Sequence, residues 1–149
     1  MRAIANGWHL ARRLGGSISR RAPSAADVAW VAAHLLPGEA RLWQQLPVQD
    51  RRHSILVARR FNGLVATATR AEIAGALLHD VGKLVSSLGT FGRVAATVIG
   101  ARTKRFREYH DHEQLGVAML RSVGSEQATL DLIEGKGRAA GALRAADAT

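Results

Sequence analysis

The residues of this 149-residue chain whose types and spacing could do chemistry are His53, the adjacent pair His79-Asp80, Lys83 beyond Gly82, His110, His112 and Asp147. The chain has no cysteine, hence no thiolate for zinc and no cysteine nucleophile, and its strong metal ligands are His, Asp and Glu. Imidazole nitrogen with carboxylate oxygen is a borderline-hard donor mixture that suits Mn²⁺, Fe²⁺, Zn²⁺, Co²⁺ or Ni²⁺, with Mg²⁺ a further candidate. Such a set leaves coordination positions open for water and for a phosphate oxygen. Successive side chains on a helix diverge by about 100°, so an adjacent His-Asp reaches one ion only where a helix end or kink carries the chain around it. Gly82 permits such a turn. His9 and His34 stand apart from this pattern and read as structural histidines.

The elements that must position these groups read as helices. Ala supplies 27 residues and the aromatics only seven, which favours close-packed helices over strands and excludes an all-β enzyme. Ser24 followed three residues later by Asp27 resembles a capping box opening a helix over about 25–36, with Trp30, Val31 and Leu35 among its apolar positions. Pro37-Gly38 is expected to end it, a short helix follows over 39–46, and Pro47 breaks again. A third helix is expected over 49–61, carrying His53, with Asn62-Gly63 as its end. Thr69 caps a buried helix, reinforced by Glu72, with His79 and Asp80 at its far end. Further helices are expected over 91–99, 111–123, 126–133 and 137–146. The length is that of one domain, and no interval resembles a linker.

The run AGALLHDVGK, Ala74 to Lys83, resembles the signature of the HD-domain superfamily of metal-dependent phosphohydrolases. That pattern is a His on an upstream helix, a His-Asp doublet often followed by x-Gly-Lys, and a downstream Asp. The resemblance covers about residues 48–149. It implies a compact, single-domain, all-α bundle, with 1–47 as a helical extension packed on an HD-like core of 48–149. It implies His53, His79, Asp80 and Asp147 as ligands of one divalent transition metal per chain, with Asp131 the fallback for the closing carboxylate. The stretch DHEQLGVAMLRSVG is similar to the family's H-x-x-x-G-x-x-x-L segment, with His112 and Gly116 in place. Members with two metals carry another His after that segment, where this chain has LDLIEGKG.

The activity implied is cleavage of a phosphate ester or nucleotide by metal-activated water. Asp80, Lys83 and His112 are the expected catalytic groups, with Lys83, His110, His112, Arg105 and Arg107 on the substrate phosphate. A balance of 21 Lys+Arg against 12 Asp+Glu, a net charge of +9, raises the local concentration of anions without choosing among them. The partner expected is a small, nucleotide-like phosphorylated substrate. Nucleic acid is a second candidate, and a homo-oligomer is compatible. Two other readings stand beside the hydrolase: a degenerate HD domain that binds nucleotide or nucleic acid, and an HD-type dinuclear iron oxygenase. No secretory signal and no membrane span is legible, so no membrane partner is expected and the cytoplasm is the expected location.

Overall fold

The structure, a computed structural model, describes residues 21–84 and 112–149. Among these residues there are seven helices and no strand: α1 (Ala25–His34), α2 (Pro37–Gln45), α3 (Val48–Leu64), α4 (Arg70–Leu78), α5 (His112–Ser122), α6 (Gln127–Ile133) and α7 (Ala140–Asp147). The all-α expectation therefore holds. The helix expected over 91–99 lies outside the described residues, as do Arg105, Arg107 and His110.

Local sequence sets most of the boundaries. Ser24 Oγ accepts the Asp27 N–H at 3.1 Å and opens α1. Thr69 Oγ1 accepts the Glu72 N–H at 3.2 Å while Glu72 Oε2 accepts the Thr69 N–H at 2.9 Å, a reciprocal box that opens α4. Two boundaries differ from expectation. Pro37-Gly38 forms the first turn of α2 rather than the gap before it, because a proline lacking an N–H is at home where that N–H would have no partner. The break falls instead at Leu35 and Leu36, both extended, and Glu39 Oε2 takes the Leu36 N–H at 2.7 Å. The third helix also runs through Asn62-Gly63 to Leu64, closing where the Val65 N–H reaches Phe61 O at 3.0 Å.

Helix α4 is the centre of the bundle. Ala71 and every residue from Ile73 to Leu78 are buried, so it is apolar nearly all round, as a helix packed on several sides must be. It meets α3 on one flank and α6 on another, and touches α1 and α2 as well. Gly75 brings its backbone onto α6: a Cβ there would lie 3.0 Å from Leu132 Cδ2 and 3.2 Å from Thr129 O. The Thr129 hydroxyl donates to Ala71 O at 2.8 Å across the same seam, satisfying a buried polar group. Val31, Leu42, Trp43 and Leu46 from α1, α2 and the turn after it share one core cluster with Phe61, Leu77, Leu120 and Leu143. Trp43 Nε1–H donates to Ser54 Oγ at 2.9 Å, joining α2 to α3. Helix α7 packs along α3, which sets the last residues of the chain beside its middle.

Two helical glycines with opposite surroundings test this packing. A Cβ on Gly38 would stand 2.8 Å from both Val123 Cβ and the Val123 carbonyl, whereas nothing lies within 4 Å of one on Gly63. Gly38→Ala is expected to destabilise by about 1–3 kcal/mol through overpacking. Gly63→Ala is expected to stabilise by about 0.5–1 kcal/mol through lost freedom of the unfolded chain. Urea midpoints measure both, and a shift of the same sign for the two would contradict the packing.

Candidate metal centre

The chain leaves α4 through a tight turn that presents His79 and Asp80. His79 is the C-cap residue, and i→i+3 bonds follow it: Val81 N–H to Leu78 O at 3.0 Å, Lys83 N–H to Asp80 O at 3.0 Å, and Leu84 N–H to Val81 O at 3.1 Å. Among the described residues the positive-φ glycines are Gly124, Gly135 and Gly137, so Gly82 takes this turn without a left-handed backbone. A Cβ on Gly116 of α5 would lie 3.2 Å from Gly82 N and 3.3 Å from Val81 Cγ1, so the absence of a side chain at Gly116 lets α5 close onto the turn. This gives the H-x-x-x-G spacing a local reason: Gly116 seats α5, and His112 is that helix's first residue.

Three donors converge beside the turn. His53 from α3, His79 from the end of α4 and Asp147 from the end of α7 each offer one ligand atom, all within 4.8 Å of one another. His53 Nε2–H donates to Asp147 Oδ1 at 3.0 Å, and the two imidazole rings lie 5.7 Å apart by centroid. His53 and Asp147 are half-buried, and His79 is nearly enclosed. The last turn of α7 is closed by the Ala148 N–H on Arg144 O at 3.1 Å and the Thr149 hydroxyl on Ala146 O at 3.3 Å.

The decisive detail is at His79. Its Nδ1 lies 2.8 Å from Ala76 O, and a carbonyl oxygen only accepts, so Nδ1 carries the proton. In the neutral ring Nε2 is then a lone pair. That atom is buried and has no hydrogen bond, yet it lies 3.4 Å from Asp147 Oδ1 and 3.5 Å from Asp80 Oδ2. A lone pair facing two carboxylate oxygens is repelled by both, and the arrangement is favourable only with a positive charge among them, a proton or a metal cation. Anchoring the far nitrogen of a ligand histidine on a backbone carbonyl is also how metal sites fix tautomer and ring orientation. Donors about 2.0–2.2 Å from one tetrahedral ion lie about 3.3 Å apart, and Asp147 Oδ1 stands on this scale from both histidines, 3.0 Å from His53 Nε2 and 3.4 Å from His79 Nε2. The residues present therefore suit a divalent cation.

The charge states follow the same geometry. Asp147 is held far below the usual carboxylate range, first by the hydrogen bond from His53 and then by His79. Burial pushes His79 down, but contact with Asp147, the charge of Asp80 and the Ala76 carbonyl together outweigh it, leaving the imidazole raised.

The other expected site residues fall as follows. Asp80 is adjacent to the cluster but outside the mutually close set, and its Oδ2 receives Lys83 Nζ at 2.6 Å. Lys83 therefore lies on a carboxylate of the site. Asp131 is not at the cluster: on α6 its Oδ1 accepts from Gln127 Nε2 at 2.8 Å, so Asp147 holds the position for which Asp131 was the fallback. The side chain of His112 lies outside the description. Sequence reasoning missed the part played by Ala76, whose carbonyl sets the tautomer; only the i, i−3 spacing to His79 hints at it. A cavity of about 400 Å³ between α1 and α3, lined by Arg21, Asp27, Arg52, Ile55, Leu56 and Arg59 among others, shares no residue with the cluster. No helix of the described residues is long and apolar enough to cross a membrane.

Comparison of the chain with protein-family models, with curated proteins and with solved structures returns no match.

The two shifts predict how stability depends on pH without metal. Asp147, lowered on folding, contributes fully above the unfolded carboxyl pKa of about 3.9 and loses its contribution as pH falls toward its folded value. His79, raised on folding, contributes fully below about 6.5 and loses its contribution as pH rises through its folded value. In chelator, the stability difference between wild type and Asp147→Asn should peak between about pH 4 and 6.5 and shrink on both sides. Denaturation across pH measures it, and a difference that does not vary with pH would contradict the geometry.

Proposed function

We propose that the chain is a metal-dependent phosphohydrolase acting on a phosphate ester of nucleotide-like size, with a divalent cation held by His53, His79 and Asp147 and approached by Asp80. The observation that carries the reading is the buried, unpartnered His79 Nε2 aimed at two carboxylate oxygens. Two imidazoles and one carboxylate are three protein ligands, the number that catalytic metal sites use when they keep a position open, whereas structural sites close all four. The resemblance of AGALLHDVGK to the HD-domain signature supports the same assignment and supplies the reaction class.

When bound, a divalent cation supplies Lewis acidity that acidifies water and polarises a phosphoryl oxygen. The chain's own residues do the rest. His53 and His79 present nitrogen, with the His79 ring fixed by Ala76 O, so binding meets little rotational freedom there. Asp147 takes no proton near neutral pH and keeps a full negative charge in the site. The Asp80 carboxylate stands at the edge, where it can orient or deprotonate an attacking water. Lys83 carries positive charge to the place where phosphate charge develops. His110, His112, Arg105 and Arg107 complete the proposal as phosphate contacts, and the net charge of +9 favours delivery of an anionic substrate.

The test is a panel of aryl phosphate mono- and diesters, nucleotides and cyclic nucleotides, run with Mn²⁺, Co²⁺, Zn²⁺, Ni²⁺, Fe²⁺ or Mg²⁺ added to chelator-treated protein. Hydrolysis is expected with at least one cation and to disappear on chelation. His79→Ala and Asp147→Asn should lower kcat/KM by about 100-fold or more, the upper end of what losing even an outer-shell partner costs a metal site. Cleavage that persists in chelator, or in His79→Ala, would overturn the assignment.

A further inference from the structure

Asp80 Oδ2 is contested. On one side it receives Lys83 Nζ at 2.6 Å; on the other it lies 3.5 Å from His79 Nε2, the atom that requires a positive charge in front of it. The ion pair is built into the turn, since the Lys83 N–H also bonds Asp80 O at 3.0 Å, which fixes the two residues one short turn apart. Lys83 is half-exposed while Asp80 is largely covered, so the pair sits where the cluster meets solvent. In this state the carboxylate offsets the ammonium charge, and an anion arriving at Lys83 also meets Asp80. A cation at His79 Nε2 draws on the same oxygen that Lys83 holds.

We propose that Lys83 and the metal cation compete for Asp80, so that cation binding transfers Lys83 from Asp80 to the substrate phosphate. The proposal rests on the metal-centre reading above and adds an order to it: the cation first, then the anion. Lys83 is a positioning residue for Asp80 in the cation-free protein and a phosphate contact once the cation is bound. Thermodynamic linkage makes the effect reciprocal, and bound phosphate holds Lys83 off Asp80 and tightens the cation.

Titration calorimetry with Mn²⁺ alone, with inorganic phosphate alone, and with phosphate on Mn²⁺-loaded protein tests this, using wild type, Lys83→Met, Lys83→Arg, Asp80→Asn and His79→Ala. Circular dichroism melts verify that each variant is folded. Lys83→Met is expected to bind Mn²⁺ about tenfold tighter than wild type, the scale on which one neighbouring charge moves an equilibrium, and Lys83→Arg to stay close to wild type. Phosphate should bind Mn²⁺-loaded Lys83→Met about tenfold more weakly than the loaded wild type. Metal-free Asp80→Asn should bind phosphate more tightly than metal-free wild type, because the negative charge of Asp80 no longer offsets the ammonium of Lys83. Mn²⁺ binding by Lys83→Met that is equal to or weaker than wild type overturns the competition, provided that wild type binds Mn²⁺ and His79→Ala does not. Absence of Mn²⁺ binding by wild type overturns the metal-centre reading itself. Unchanged phosphate binding by metal-free Asp80→Asn overturns the masking of Lys83 in either case.

Discussion

One hydrogen bond organises the site: the Nδ1–H of His79 on the carbonyl of Ala76. It settles the tautomer, and by settling it turns the buried Nε2 into a lone pair directed at the carboxylates of Asp147 and Asp80. Everything nearby answers to that constraint. His53 donates to Asp147, the Asp147 carboxyl is held ionised, Lys83 lies on Asp80, and a positive charge is the component that makes the arrangement favourable. Such an arrangement is suited to a cation.

The fold serves the constraint through close approach. A helix buried on nearly all faces needs small residues to admit its neighbours, and the Ala- and Gly-rich sequence of α4 provides them. Helices α3 and α6 pack against it, and α5 meets the turn that follows it. Two of the three donors sit at helix ends, His79 and Asp147, where a side chain can point along the axis rather than outward from it. The third, His53, lies on the flank of the long helix α3, and α7 packs along that helix. Glu39, fully buried, caps α2 while Arg70 bridges it to Glu126 and to the His34 carbonyl, so a polar network clamps α2, α4 and the start of α6.

Much of this was legible in the sequence, for reasons that differ by residue. Ser24, Thr69 and Glu72 act within four residues of themselves, so their capping signals read directly. Apolar spacing gave the helices because burial selects by face. The His-Asp doublet was legible because a motif of adjacent residues survives without knowledge of the fold. Asp147 was harder: it lies 94 residues from His53, and only packing of α7 on α3 distinguishes it from Asp131 on α6. Pro37 misled because a proline can close one helix or open the next, and the pairing of Glu39 with the Leu36 N–H decides between them. The Lys83–Asp80 contact was hidden for a similar reason, since a Lys beside an active site suits a phosphate or a carboxylate equally until a distance is known.

The chemistry of the site thus depends less on the net positive charge than on a small group of converging donors. The central claim is that His53, His79 and Asp147 hold a single divalent cation. X-ray absorption on protein loaded with one equivalent of Zn²⁺ tests it most directly. The account predicts a first shell of nitrogen and oxygen alone, with outer-shell scattering from two imidazoles that falls to one in His79→Ala. A first shell with one imidazole or none in the wild-type protein, or a spectrum unchanged by His79→Ala, would contradict it.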